Sequence, residues 1–141
     1  MTEYISSPQN KMIKSLKKLH QKKYRLQEQQ FLIEGEHLVQ EVLLHMPEQV
    51  QCVFLEQELD TTYFQTKHIP YYVIDPKVSA SLSQQPSPPK IFATISLLDH
   101  HVSFAKISGP ILFLDRIQDP GNVGTMIRTA DAAGFSGVYL G

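Results

Sequence analysis

The stretch ILFLDRIQDPGNVGTMIRTADAAGFSGVYLG, residues 111–141, decides the architecture of the chain. Its opening, ILFLDRI, is a nearly continuous apolar run of strand length, the pattern expected of a strand buried on both faces. GVYLG, residues 137–141, reads as a second strand, and the helix between them is capped by Asp119 and started by Pro120. Strand, turn, helix and strand make the opening unit of a parallel sheet. A lone pair of crossover strands is too little sheet to stand by itself. The expectation is therefore that the chain is the front part of a longer protein, or that its last segment docks on something else.

The turn carries chemistry. Gly121 and Gly124 leave the first helical turn without side-chain bulk, and Val123, Ile127, Ala130 and Gly134 are the expected packing face. A helix start left open in this way offers backbone N–H groups and a positive dipole end to an anion or a closely approaching ligand. Asn122 in the first turn and Arg128 one and a half turns on stand off the packing face, and Arg128 projects a fork of donors suited to a phosphate. Neither G-x-G-x-x-G nor G-K-[ST] is present, so little supports a dinucleotide or Walker-type site. A plain tight turn, with Arg128 paired to Asp115 or Asp131, fits the same pattern.

About a hundred residues upstream lies a second feature. Between Lys11 and Arg25 the chain carries seven basic residues and no acid, whereas the other 126 residues carry six basic and fourteen acidic groups. The formal net charge of −1 thus hides a basic arm on an acidic body. The arm reads as one helix, with Ser7 as N-cap and Pro8 at the first helical position. Helical spacing places Lys11, Lys14, Lys18, Lys22 and Arg25 in one cationic stripe and Ile13, Leu16 and Leu19 on another side. A solvated lysine face is the ordinary reading of such a run. The absence of any carboxylate at i+4 to relieve like-charge repulsion argues instead for an external polyanion, and nucleic acid is the obvious one.

Between the two lies an alternation of helices and strands. FLIEGEHLVQEVLLH, residues 31–45, opens on an apolar run and turns helical, with Leu38, Val42 and His45 on one side and Val39 and Leu43 beside them. VQCVFLE (50–56), IPYYVID (69–75) and IFATISLL (91–98) read as strands, TTYFQTKH (61–68) as a short exposed helix, and Pro76 starts another helix running to about Leu82. QQPSPPK, residues 84–90, is a loop on composition alone, with Pro86, Pro88 and Pro89. The reading is an α/β domain over residues 1–98, a linker over 99–110 and the start of a parallel-sheet domain over 111–141. Adjacent His100 and His101 in the linker point in different directions in any regular element, so they read as exposed histidines and no metal is expected. Tyr63, Tyr71, Tyr72 and Phe92 could serve as base-stacking platforms, or be strand and core residues.

Composition narrows the setting. At 141 residues and 16.0 kDa, with 42% hydrophobic residues, the chain has the size of one domain or of one domain plus part of another. No run approaches the roughly 20 apolar residues of a membrane span, and MTEYISSPQN lacks the apolar core of a signal peptide, which points to the cytosol. Cys52 stands alone, so an internal disulfide and a cysteine-based metal cluster are excluded.

The run LDRIQDPGNVGTMIRTADAAGFSGVYLG resembles the first signature motif of the SpoU, or TrmH, family of RNA ribose 2′-O-methyltransferases. SPQNKMIKSLKKLHQKKYR through FLIEGEHLVQEVL is similar to the substrate-binding domain that precedes the catalytic domain in many of them, especially those acting on ribosomal RNA. The resemblance implies an RNA-binding α/β domain, related to certain ribosomal proteins, joined to a parallel-sheet domain with a C-terminal trefoil knot. That knot binds S-adenosylmethionine, usually in a homodimer. It also implies that Asn122 and Arg128 match the motif's catalytic asparagine and arginine. Two later motifs, which carry most cofactor contacts, are absent before Gly141, so cofactor-binding residues and the knot are expected beyond it and this chain by itself is expected to lack turnover. Three functions stay open: an RNA ribose methyltransferase, an RNA-binding module without catalysis, and a nucleotide-binding domain using the helix start. DNA and membrane partners are not expected.

Overall fold

In a computed structural model of the chain, residues 3–57, 59–98 and 107–141 are described, and the chain divides into two compact units, Met1–Asp99 and His100–Gly141. The first is built on strands β1 (Tyr4–Ile5), β2 (Gln30–Glu34), β3 (Val50–Glu56), β4 (Tyr71–Ile74) and β5 (Ile91–Ser96). They form one sheet in the order β1-β4-β3-β5-β2, in which β1 and β3 run parallel to β4, and β5 runs antiparallel to both β3 and β2. Helices α1 (Lys11–Lys18), α2 (Lys22–Glu28), α3 (Glu36–His45), α4 (Thr62–Thr66) and α5 (Pro76–Leu82) complete the unit, with a 3₁₀ turn at Pro47–Gln49.

Period-two alternation divides the core between the two faces of the sheet. Val53 and Leu55 of β3, with Ile91, Ala93 and Ile95 of β5, pack under Val39, Val42 and Leu43 of α3 and Phe64 of α4. Phe54 and Phe92 point the other way, beneath Ile13, Leu16 and Leu19 of the arm and Val78 and Leu82 of α5. The strand over 50–56 and the helix from Pro76 to Leu82 lie where the sequence placed them, and the strand expected over 91–98 begins at Ile91 and ends at Ser96. On α3 the buried side is Val39, Val42 and Leu43, while Leu38 and His45 are exposed. The three inward residues are spaced i, i+3, i+4 and bury more apolar area together than the i, i+4, i+7 set of Leu38, Val42 and His45 would.

The arm departs from the single helix expected. Its N-cap is Asn10, whose side chain accepts from the Met12 N–H at 2.8 Å; the Ser7 hydroxyl instead takes the Gln9 N–H in a turn. Asn10 wins because α1 starts where its apolar residues meet the sheet, and Pro8 lies in the turn that precedes it. The helix also breaks: α1 ends on Leu19, Gln21 is extended, and α2 restarts at Lys22. A continuous helix would stack Lys14, Lys18 and Lys22 at successive i+4 positions, and the break separates Lys18 from Lys22. Lys17 and Lys18 fall in the last turn of α1, where the dipole favours cations.

The second unit consists of β6 (Ile111–Leu114), α6 (Pro120–Ala132) and β7 (Gly137–Leu140), with β6 and β7 paired parallel from Ile111↔Gly137 to Leu114↔Leu140. Burial on both faces of β6 is not what the structure has. Leu114 is buried and Leu112 half-buried, but Ile111 and Phe113 are exposed, and Phe113 stacks on exposed Tyr139 at 5.1 Å. With β7 as its strand partner and α6 as the only helix of the unit among the described residues, one face of β6 lacks an apolar cover. His100, His101 and most of the 99–110 linker lie outside the described residues.

Candidate functional site

Helix α6 forms as the dipeptide Asp119-Pro120 dictates. Asp119 is extended and its Oδ1 accepts the Gly121 N–H at 2.8 Å, while Pro120 occupies N1, where no N–H is needed. The cap also changes the electrostatics expected of the helix start. A carboxylate already sits at the positive end of the dipole and takes one of its donors, so an anion is disfavoured at that point. Gly121 has a local reason: a Cβ there would lie 3.2 Å from Asp119 Oδ1, whereas at Gly124 it would meet nothing within 4 Å.

Along the exposed side of α6 the hydroxyls of Thr125 and Thr129 donate to the carbonyls of Gly121 and Thr125. Asn122 and Arg128 are both exposed, and among the described residues neither side chain has a hydrogen-bond or ion-pair partner. Arg128 is therefore not paired with Asp115 or Asp131; Asp115 lies 3.9 Å from Arg116 instead. Six residues of helix separate Asn122 from Arg128 by about 9 Å along the axis. The pair thus offers an amide and a guanidinium to one extended polar ligand.

Gly134 is not part of the packing face. It lies past the helix end at φ +78°, with its N–H on the Asp131 carbonyl and the Phe135 N–H on the Ala130 carbonyl. This is a Schellman stop, which requires a left-handed residue at that position. Val123 and Met126 are half-buried and Ala130 is buried, while Ile127 is 40% exposed. Gly134→Ala is expected to cost about 1 kcal/mol through the left-handed backbone, seen as a lower urea midpoint at unchanged slope, with Gly134→Asn losing less.

In the N-terminal unit, Lys11, Lys14, Lys18 and Lys22 are all exposed. Arg25 is placed differently. It is half-buried, and its Nη1 donates to the carbonyls of Leu19 (2.9 Å) and His20 (2.8 Å), tying α2 across the break; His20 Nε2 lies 2.8 Å from the Leu82 carbonyl of α5. The break is thus held by side chains, and the stripe presents four lysines. Arg25→Ala is expected to destabilise the N-terminal unit by about 1–2 kcal/mol, since two carbonyls lose a charged donor. Urea unfolding checks this, with Arg25→Lys expected to recover part of the loss.

Sequence reading passed over a cavity of about 480 Å³ between α1, α2 and the sheet, lined among others by Lys18, Tyr24, Gln27, Gln30, Gln51 and Tyr72. The amide-rich run QEQQ, residues 27–30, was the available signal. Cys52 also borders it, and burial pushes its thiol up to about 11, against a lowering by a backbone hydrogen bond of Val53, so at neutral pH it is an inert thiol. Phe92 is fully buried and Tyr63 donates to the Leu43 carbonyl. Among the described residues there is no cluster of three or more His, Cys, Asp or Glu able to hold a metal, and no helix long and apolar enough to cross a membrane.

Residues 10–93 match the MRM3-like substrate binding domain, and residues 109–141 match the SpoU rRNA Methylase family. The chain belongs to the SpoU/TrmH family. This SpoU chain is 38% identical over 137 residues to the 23S rRNA (guanosine(2553)-2′-O)-methyltransferase RlmP of Bacillus subtilis, covering 97% of itself and 54% of that protein. Its fold is similar to part of an rRNA methyltransferase from Sinorhizobium meliloti, at TM-score 0.78 and 28% identity over 99% of this chain and 54% of the other. The AdoMet-bound form of that enzyme superposes equally well, at TM-score 0.78. The SpoU chain spans about half the length of the curated relatives it matches.

Proposed function

We propose that the whole protein is an RNA ribose 2′-O-methyltransferase acting on ribosomal RNA. In this reading residues 1–98 bind the RNA, 99–110 link the parts, and 111–141 open the catalytic domain. The observation that carries the reading is the pairing of Asn122 with an Arg128 that has no partner among the described residues, on a helix whose start matches the SpoU family.

S-adenosylmethionine supplies a methyl group on a sulfonium, ready for transfer to a nucleophilic oxygen. The donors of this chain suit the RNA side of such a site: an amide and a guanidinium fit a ribose and a phosphate, and the bare surface at Gly124 leaves room for close approach. Arg128 grips the phosphate beside the target ribose and thereby orients the 2′-OH. As a proton acceptor it is unsuited, because a guanidinium with pKa above about 12 is costly to deprotonate. Asn122 holds the ribose by hydrogen bonds. Positioning of this kind is itself catalytic, since the hydroxyl oxygen must lie in line with the departing bond. The Asp119 cap leaves phosphate binding to Arg128, not to the helix start.

The arm lysines Lys11, Lys14, Lys18 and Lys22 deliver the RNA through its backbone charge. Homodimer formation and a cytosolic location are supported by the family resemblance. The test is methyl incorporation from labelled S-adenosylmethionine into ribosomal RNA, with the product mapped as a linkage resistant to alkali. Label on a base, or none on RNA, refutes the reading.

A further inference from the structure

The cavity beside the arm has a chemistry that backbone binding leaves unused. Tyr72 lines it with its ring held parallel to that of Phe54, at 5.6 Å and 11°. Phe54 is fully buried, so the Tyr72 ring is held in place before any ligand arrives. Gln27 and Gln30 also line it, and among the described residues neither side-chain amide has a hydrogen-bond partner. Gln51 lines it too, anchored through its Nε2 on Ser96 Oγ at 2.6 Å. The volume, about 480 Å³, lies within the roughly 300–1,000 Å³ of small-ligand sites. Lys18 belongs both to the cavity lining and to the cationic stripe, and its Nζ sits 5.5 Å from the centre of the Tyr24 ring.

A flat ligand with donors and acceptors around its edge, carried on an anionic strand, satisfies all of these features together. An aromatic ring supplies stacking, paired amides read an edge, and a cation takes the phosphate. We propose that this cavity receives one unstacked nucleobase of the RNA, with Tyr72 as the stacking surface and the amides of Gln27 and Gln30 at the base edge. A single-stranded or looped segment is therefore the substrate feature the N-terminal unit reads, because bases within an RNA duplex are not free to enter. This deepens the RNA-binding reading above and rests on it. The lysines would supply affinity blind to sequence, and the cavity would supply the sequence preference.

The experiment is fluorescence anisotropy of end-labelled hexanucleotides of uniform sequence (A, C, G or U) on the full chain at fixed salt. The expected result is one base favoured about 10-fold or more over the weakest, the range in which paired hydrogen bonds to a base edge discriminate. Tyr72→Ala and Gln27→Ala should both flatten that preference while leaving the salt dependence of binding unchanged. Tyr72→Ala could disturb the sheet, so a second variant tests the same point: Ser15→Trp, at an exposed position of α1 that also borders the cavity, should occlude the opening and level the four affinities with the circular dichroism intact. Equal affinity of the wild type for all four sequences, or a preference that survives both Ser15→Trp and Gln27→Ala, overturns the cavity assignment and leaves backbone binding standing. Absence of any RNA binding overturns both.

Discussion

Arg128→Ala in the whole protein is expected to lower methyl incorporation into ribosomal RNA by at least about 100-fold, the scale of removing one well-placed charged donor from an active site. Affinity for S-adenosylmethionine should change by no more than about twofold, because the guanidinium faces RNA in the proposed geometry. The reason for so large an effect lies in what surrounds the side chain. An arginine paired on a surface contributes little when removed, but among the described residues Arg128 has no partner, and no rearrangement within α6 can replace it. Arg128→Lys should recover only a small part, since an ammonium cannot reproduce the fixed fork on a phosphate. Single-turnover methylation beside calorimetric cofactor binding separates the two quantities. Undiminished methylation, or a parallel loss of cofactor affinity, would remove Arg128 from the role assigned to it.

The second large effect concerns the arm. With Lys11, Lys14, Lys18 and Lys22 on phosphates, log affinity for structured RNA should fall with log salt at a slope of about −3 to −4, so that raising salt from 50 to 200 mM weakens binding about 100-fold. Changing Lys14, Lys18 and Lys22 together to glutamine should bring the slope to about −1. Arg25 is predicted to behave differently from these lysines. Its guanidinium is engaged by the Leu19 and His20 carbonyls, so Arg25→Ala should alter stability more than slope. Titrations of the wild type and both variants at four salt concentrations decide the matter. An unchanged slope in the triple variant would return the lysines to a merely solvated face.

Much of this was legible from one dimension because it depends on local chemistry. The apolar runs of VQCVFLE and IFATIS fix two central strands, since alternate residues can be buried on opposite faces of a covered sheet. Pro76 and Asp119-Pro120 each announce a helix start, and the Asp119 carboxylate accepts the expected backbone N–H; the Asp75 carboxylate caps the helix begun by Pro76 in the same way. The motif around Asn122 and Arg128 identified the family from the type and spacing of its residues alone, and the matches over residues 10–93 and 109–141 agree.

Other features needed the fold. A period of 3.6 cannot say that the arm breaks at Leu19, because the break is held by Arg25 on carbonyls five and six residues back and by His20 on a carbonyl from α5, 62 residues away in sequence. Nor can it tell a glycine that packs from one that stops a helix: Gly134 has the spacing of the first and the backbone of the second. The cavity is the clearest case, since Lys18, Gln27, Gln51 and Tyr72 come from four separate elements or their borders and meet only when β3 and β4 pair beneath α1. Sequence alone determined the strands over 50–56 and from Ile91, the helix starts at Pro76 and Pro120, which family the chain joins and which two side chains of α6 are chemically suited to RNA. Tertiary structure decided which cations are free, where the helices end and what the sheet encloses, because hydrogen bonds and cavities between distant segments depend on packing that no local pattern encodes.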